Sequence, residues 1–145
     1  MRIAKTIGMG PALVLALAGC AGYEDETDFV SDAPEARVVG EAESCISPDR
    51  IRSTVVHDDR TIDFVMSGGD IYRNTLPRRC PRLGFERSIS YDVRGGRLCS
   101  PEIVYVLDNT GGRLDRGVGC GLGDFVPVEY VERAPGDAPA IMDDR

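Results

Sequence analysis

The sequence predicts an all-β domain: a small antiparallel meander of about six strands, closing into a barrel or sandwich and stapled by two disulfides. Three observations predict it. Apolar and polar residues alternate at a period of two through the middle of the chain. Short clusters of Gly, Asn, Asp and Ser punctuate these runs. Four cysteines, Cys45, Cys80, Cys99 and Cys120, form an even set in a stretch without a long amphipathic helix.

Folding signals begin at Cys45. Ser47-Pro48-Asp49-Arg50 reads as an N-cap followed by proline at the first helical position, hence one helical turn before the sheet. Strands are expected near residues 52–57, 61–66, 71–76, 87–93, 102–108 and 117–128. In the second, Ile62, Phe64 and Met66 alternate with Thr61, Asp63 and Val65, so the first set faces a core while Thr61 and Asp63 face water. Ile89, Tyr91 and Val93 alternate in the same way with Ser88, Ser90 and Asp92. The run Ile103-Val104-Tyr105-Val106-Leu107 is apolar on both faces, the signature of a central strand covered on each side.

The intervening residues are turn formers: His57-Asp58-Asp59-Arg60, Ser67-Gly68-Gly69-Asp70, Gly95-Gly96 and Asn109-Thr110-Gly111-Gly112. Loops this short imply antiparallel neighbours. In the last strand Gly117, Gly119, Gly121 and Gly123 fall on one face. A bare backbone there suits strong coiling and packing by an aromatic such as Tyr91 or Tyr105. The run does not satisfy G-x-G-x-x-G, because position 122 is Leu and 124 is Asp, so nucleotide binding is not indicated.

The ends of the chain are compositionally different. Arg2 and Lys5 precede an apolar run from Ile7 to Ala18 that is too short to span a bilayer, and Leu17-Ala18-Gly19-Cys20 follows, which resembles a bacterial lipobox. Residues 1–19 therefore read as a lipoprotein signal peptide, removed so that a diacylglyceryl-modified Cys20 becomes the first residue. Multiple acyl chains satisfy the requirement for stable anchoring. Ala21 is not the aspartate that favours inner-membrane retention, so the expected location is the inner leaflet of the outer membrane, facing the periplasm.

Residues 20–43 carry a net charge of −7 with few large apolar groups and read as a lipidated, acidic, flexible tether. Residues 44–131 form the β domain, and 132–145, with Pro135, Gly136, Pro139 and Asp143-Asp144, read as a disordered tail. From Ser44 to Val128 the net charge is only +1, so no nucleic-acid footprint is present.

An oxidising envelope suits disulfides at Cys45, Cys80, Cys99 and Cys120. Spacing does not choose among the three pairings. The nested one, Cys80 with Cys99 and Cys45 with Cys120, is preferred because it would close a hairpin and join the domain's start to its last strand. No C-x-x-C pair occurs and His57 is the only histidine, so neither metal nor cofactor is expected. No catalytic residue is indicated either. His57 reads as a solvated turn residue, there is no G-x-S-x-G, and an enzyme is not expected. Arg73, Arg78, Arg79, Arg82 and Arg87 cluster around Cys80 with only Glu86 opposing, and guanidinium groups suit phosphate or carboxylate partners such as an anionic polymer or an acidic envelope protein.

From Cys45 to Pro127 the chain resembles a family of small, uncharacterised bacterial lipoproteins with a cysteine-framed domain of unknown function. The residues that carry this are Cys45-Ile46, Asp58-Asp59-Arg60-Thr61-Ile62, Tyr72-Arg73-Asn74, Leu76 with Cys80-Pro81, Leu98-Cys99 and Cys120-Gly121-Leu122-Gly123. The resemblance implies a class and a location and no activity. The expected role is a binding or structural envelope module. The alternative is an inhibitor of a lysozyme-like wall-cleaving enzyme, to whose serine-glycine-tyrosine loop Ser67-Gly68-Gly69-Asp70-Ile71-Tyr72 is similar. The spacing differs, however, and no lysine follows Lys5.

Overall fold

The computed structural model describes residues 29–132. The expected signal peptide, Cys20, the first part of the expected tether and the expected tail from residue 133 lie outside the described residues. Ten strands are present, all paired antiparallel: β1 (Ala36–Val38), β2 (Cys45–Ile46), β3 (Ile51–Val56), β4 (Thr61–Met66), β5 (Ile71–Thr75), β6 (Ile89–Tyr91), β7 (Leu98–Cys99), β8 (Ile103–Thr110), β9 (Arg113–Gly121) and β10 (Phe125–Tyr130). A 3₁₀ turn at Pro48–Arg50 precedes β3, and one four-residue helix, α1 (Leu83–Glu86), lies between β5 and β6.

The strands form a five-stranded sheet ordered β1-β10-β5-β4-β3, a three-stranded sheet ordered β6-β8-β9 and the pair β2-β7. The all-β class is as expected, whereas the count of six strands and the closed barrel are corrected. The expected strand at 117–128 is two: the chain leaves β9 at Gly121 and re-enters a different sheet as β10. One core joins the sheets. Ile62 and Phe64 of β4, Val104 and Val106 of β8, Leu98 of β7 and Phe125 of β10 are fully buried together, and the Phe64 and Phe125 rings meet edge to face at 5.4 Å.

β4 is the most enclosed strand, with both faces covered. β8 is the middle of its sheet as expected, but Ile103 on its outer face remains exposed. Covering of the second face of β4 comes from a stretch expected to belong to the tether. From Phe29 onward that stretch docks: β1 pairs with β10, Val39 N–H donates to Pro127 O, and Glu43 bridges Phe125. Backbone hydrogen bonds at the sheet edge hold the stretch in place and need no large apolar side chains, while Ser31, 3.0 Å from the Thr61 hydroxyl, and Pro34, whose carbonyl accepts from Arg73, reach over the face of β4 and β5.

Both disulfides are present with a pairing that crosses, Cys45–Cys99 and Cys80–Cys120, which corrects the nested expectation. β2 and β7 set Cys45 directly opposite Cys99, Cα to Cα at 4.0 Å. Cys80, fully buried below the loop after β5, meets Cys120 of β9.

A side-chain lock joins β5 to the turn before β10. Buried Asn74 donates from Nδ2 to Gly123 O at 2.7 Å and accepts Gly123 N–H at 2.9 Å. A Cβ on Gly123 would stand 2.3 Å from Thr75 O, so only glycine permits this approach. Asn74→Ala leaves both backbone groups of Gly123 without these partners and is expected to cost about 2–3 kcal/mol, read as a fall in the urea midpoint.

Candidate functional site

β4 and β5 pair in a register that sets Asp63 across from Arg73, and β10 follows with Val126 across from Arg73. Cross-strand partners share a face and residues two apart return to it. Asp63, Arg73 and Tyr130 therefore lie on one face of the five-stranded sheet. His57, two residues past Val55, which pairs with Asp63, joins them.

Their side chains close on the Asp63 carboxylate, which is 0% exposed. Arg73 donates from Nε to Oδ1 and from Nη2 to Oδ2, both at 2.9 Å. The Tyr130 hydroxyl donates to Oδ2 at 2.8 Å and His57 Nε2 donates to the same oxygen at 2.8 Å. Burial alone would push the Asp63 carboxyl up, but the hydrogen bonds from Arg73, Tyr130 and His57 and the Arg73 charge outweigh it and hold the carboxyl below its ordinary value. Burial and the bond to Asp63 push the Tyr130 hydroxyl up to about 12. The remaining arm of Arg73, Nη1, donates to Pro34 O at 3.0 Å and so ties the docked N-terminal stretch to the network.

These positions correct two expectations. His57 is not a solvated turn residue but a partner of a buried carboxylate, and Asp63 does not face water. Arg73 belongs to this network rather than to the arginine loop.

The β3–β4 turn beside it is equally organised. Asp58 accepts Arg60 N–H at 2.8 Å, Asp32 N–H at 3.1 Å and the Ser31 hydroxyl at 2.5 Å. Burial pushes its carboxyl up, and these bonds and one from Thr61 bring it below the usual aspartate value. Asp59 accepts Gly84 N–H at 2.8 Å and Arg79 Nε at 3.0 Å, while Cys80 N–H donates to Asp59 O. A Cβ at Gly84 would sit 3.1 Å from the Asp58 backbone, so α1 lies hard against this turn.

The rest of the expected arginine cluster is on that docked loop. Arg79 pairs with Asp59, and Arg82 pairs with Glu86 and, at 3.4 Å, with Asp108. Arg87 donates to Gly84 O at 3.1 Å. Arg78 and Arg87 have no carboxylate partner among the described residues. An open cleft of about 450 Å³ runs between the docked stretch and this loop, with Phe29, Val30, His57, Arg79, Gly84 and Arg87 among its lining.

The glycine run of β9 is taken up by the protein's own side chains. A Cβ at Gly119 would meet Ile103 and the Tyr105 ring, while one at Gly117 would meet Asp108. Tyr105 and Asp108 are three residues apart on one strand and so point to opposite faces. A bulge between the Tyr105 and Leu107 pairings shifts the phase of β9. The expected single glycine face is thus split, and aromatic packing by Tyr105 occupies one part of it. Arg116 stands over the Tyr105 ring at 5.0 Å and forms a bidentate pair with Asp92.

Chemically, the Asp63 network is saturated with donors and acts as a lock between four strands. The loop beyond it carries Arg78 and Arg87, whose guanidinium groups have no carboxylate partner among the described residues. Asp63 and Tyr130 were missed as network members, although an aspartate between Ile62 and Phe64 in an apolar run is a signal for a buried, paired acid. Compared with protein-family models, curated proteins and solved structures, the chain matches none.

Proposed function

We propose that the chain is a lipid-anchored protein of the bacterial cell envelope, held through Cys20 in the inner leaflet of the outer membrane and facing the periplasm, and that its β domain is a binding or structural module rather than an enzyme. One observation carries this reading. The chain has five cysteines, and two disulfides consume four of them. The fifth, Cys20, is the one that the lipobox assigns to a thioether. Two disulfides also suit an oxidising compartment.

The binding-module reading is supported by the use of the lone histidine, His57, as a donor to a buried carboxylate that three other donors already saturate. It is supported further by the fixed loop that presents Arg78 and Arg87, whose chemistry fits an envelope protein or an anionic polymer. The anchor itself makes the membrane the first partner.

Expression of the full chain in a Gram-negative host with labelled palmitate tests the reading. The wild-type chain is expected to incorporate label and to sediment with membranes, and Cys20→Ser to do neither. Unlabelled, soluble wild-type protein overturns it.

A further inference from the structure

We infer that the part of the domain bearing Phe85 and Val30 docks on the surface of the bilayer in which the chain is anchored. This rests on the lipidation of Cys20 proposed above. Val30 and Phe85, 85% and 82% exposed, are the most exposed large apolar side chains of the described residues. They belong to one neighbourhood, since Val30 lines the same cleft as Gly84 and Arg87, the residues on either side of the Phe85–Glu86 pair.

The path of the chain brings this part to the membrane. Phe29 lines the same cleft and is the first described residue, with residues 21–28 between it and Cys20. Even fully extended, that segment reaches about 30 Å at most. The lipid-bearing residue is therefore tied within about 30 Å of Phe29, and a short link raises the effective concentration at the bilayer of the cleft that Phe29 shares with the Phe85 loop.

The chemistry of this part fits the interface between headgroups and acyl chains. Phe85 supplies an aromatic ring that sits at that boundary, and Val30 adds apolar surface. Arg87, which lines the cleft, and Arg78, next in the chain to the cleft residue Arg79, have no carboxylate partner among the described residues and can each take a lipid phosphate through two parallel N–H groups.

Phe85 is also held out rigidly. Arg82 and Arg87 flank α1 at φ 69° and 52°, a left-handed conformation rare for residues with a side chain. Cys80–Cys120 and the Gly84–Asp59 bond fix the loop beneath. Pairing of Arg79 and Arg82 with carboxylates, and the acids Glu24, Asp25, Glu26 and Asp28 before Phe29, remove a general electrostatic attraction. Docking is therefore by insertion of the apolar pair, with Arg78 and Arg87 at the phosphates.

The sequence contains no tryptophan, so Phe85→Trp is a single reporter. The lipidated full chain carrying it is reconstituted into vesicles of phosphatidylethanolamine and phosphatidylglycerol, with ordinary or brominated acyl chains. Blue-shifted emission that brominated chains quench is the expected result. Water-exposed emission of equal intensity in both vesicle sets overturns the inference. Val30→Trp is the second reporter should Phe85→Trp fold poorly. Unlabelled protein that stays out of the vesicles marks the failure of Cys20 lipidation instead.

Discussion

Reduction of the two disulfides under otherwise native conditions is expected to unfold the domain. Cys45–Cys99 and Cys80–Cys120 close loops with sequence separations of 54 and 40 residues. On the chain-entropy model each constrains the unfolded chain by about 4 kcal/mol, which together matches the whole stability of an ordinary small domain. The two are not equivalent. Cys45 and Cys99 bind a two-residue ladder at a partly open position, whereas Cys80 is fully buried and its bridge holds the arginine loop against β9. The pair Cys80→Ser/Cys120→Ser also places hydroxyls in the core, so it is expected to lose more than Cys45→Ser/Cys99→Ser. Thermal melts followed by circular dichroism, with and without reductant, give the comparison. An unchanged melting curve after complete reduction would sink the prediction.

That two disulfides would form was legible in the cysteine count, but their pairing was not, for a physical reason. β2 and β7 are two residues long, and no periodicity can be read from two residues. Without them the chain gives no sign that Cys45 meets Cys99. The strands with clear alternation fared better: 61–66 was expected and Thr61–Met66 is β4, and 71–76 contains Ile71–Thr75. β9 and β10 merged in the reading because Val118, Leu122, Phe125 and Val126 continue an apolar run across the turn at Gly123. β1 was hidden because Ala36-Arg37-Val38 sits at an edge and is held by backbone bonds to β10.

The polar site was legible only in pieces. Asp63 and Arg73 were both visible, one as a strand residue and the other as part of a basic cluster. What joins them is the β4–β5 register, which a four-residue turn at Ser67–Asp70 fixes and composition does not reveal. Covering of their shared face depends on the stretch from Phe29 to Val38, which lies within residues 20–43, whose net acidic composition suggests a solvated tether. Its contacts include a serine, the Asp32 N–H, a proline carbonyl and a short edge strand, all weak signals in a sequence.

The same covering makes loss of the Asp63 carboxylate one of the costliest single changes expected among the polar side chains. In Asp63→Asn the Arg73 guanidinium loses its bidentate acceptor while remaining mostly enclosed, and the neutral amide cannot accept from Arg73, His57 and Tyr130 together. Breaking a buried pair on one side costs about 3–5 kcal/mol. Replacing both partners, as in Asp63→Val with Arg73→Met, removes the stranded charge and is expected to recover most of that loss.

The pH profile supplies an independent reading of the same network. The folded Asp63 carboxyl lies below the ordinary value of about 3.9 that it has when unfolded. Its contribution is therefore complete above that unfolded value and is lost as pH falls through the folded one. Asp58 acts in the same direction. Tyr130 is opposite: its hydroxyl is raised from 10.0 to about 12, so its contribution is complete below pH 10 and disappears as pH rises towards 12. Asp63→Asn should weaken the acid limb of stability against pH, and Tyr130→Phe should flatten the alkaline limb while leaving the acid limb governed by Asp63 and Asp58. Urea midpoints across the pH range decide it. If Asp63→Asn keeps the wild-type midpoint at neutral pH, the carboxylate does not hold these four strands together.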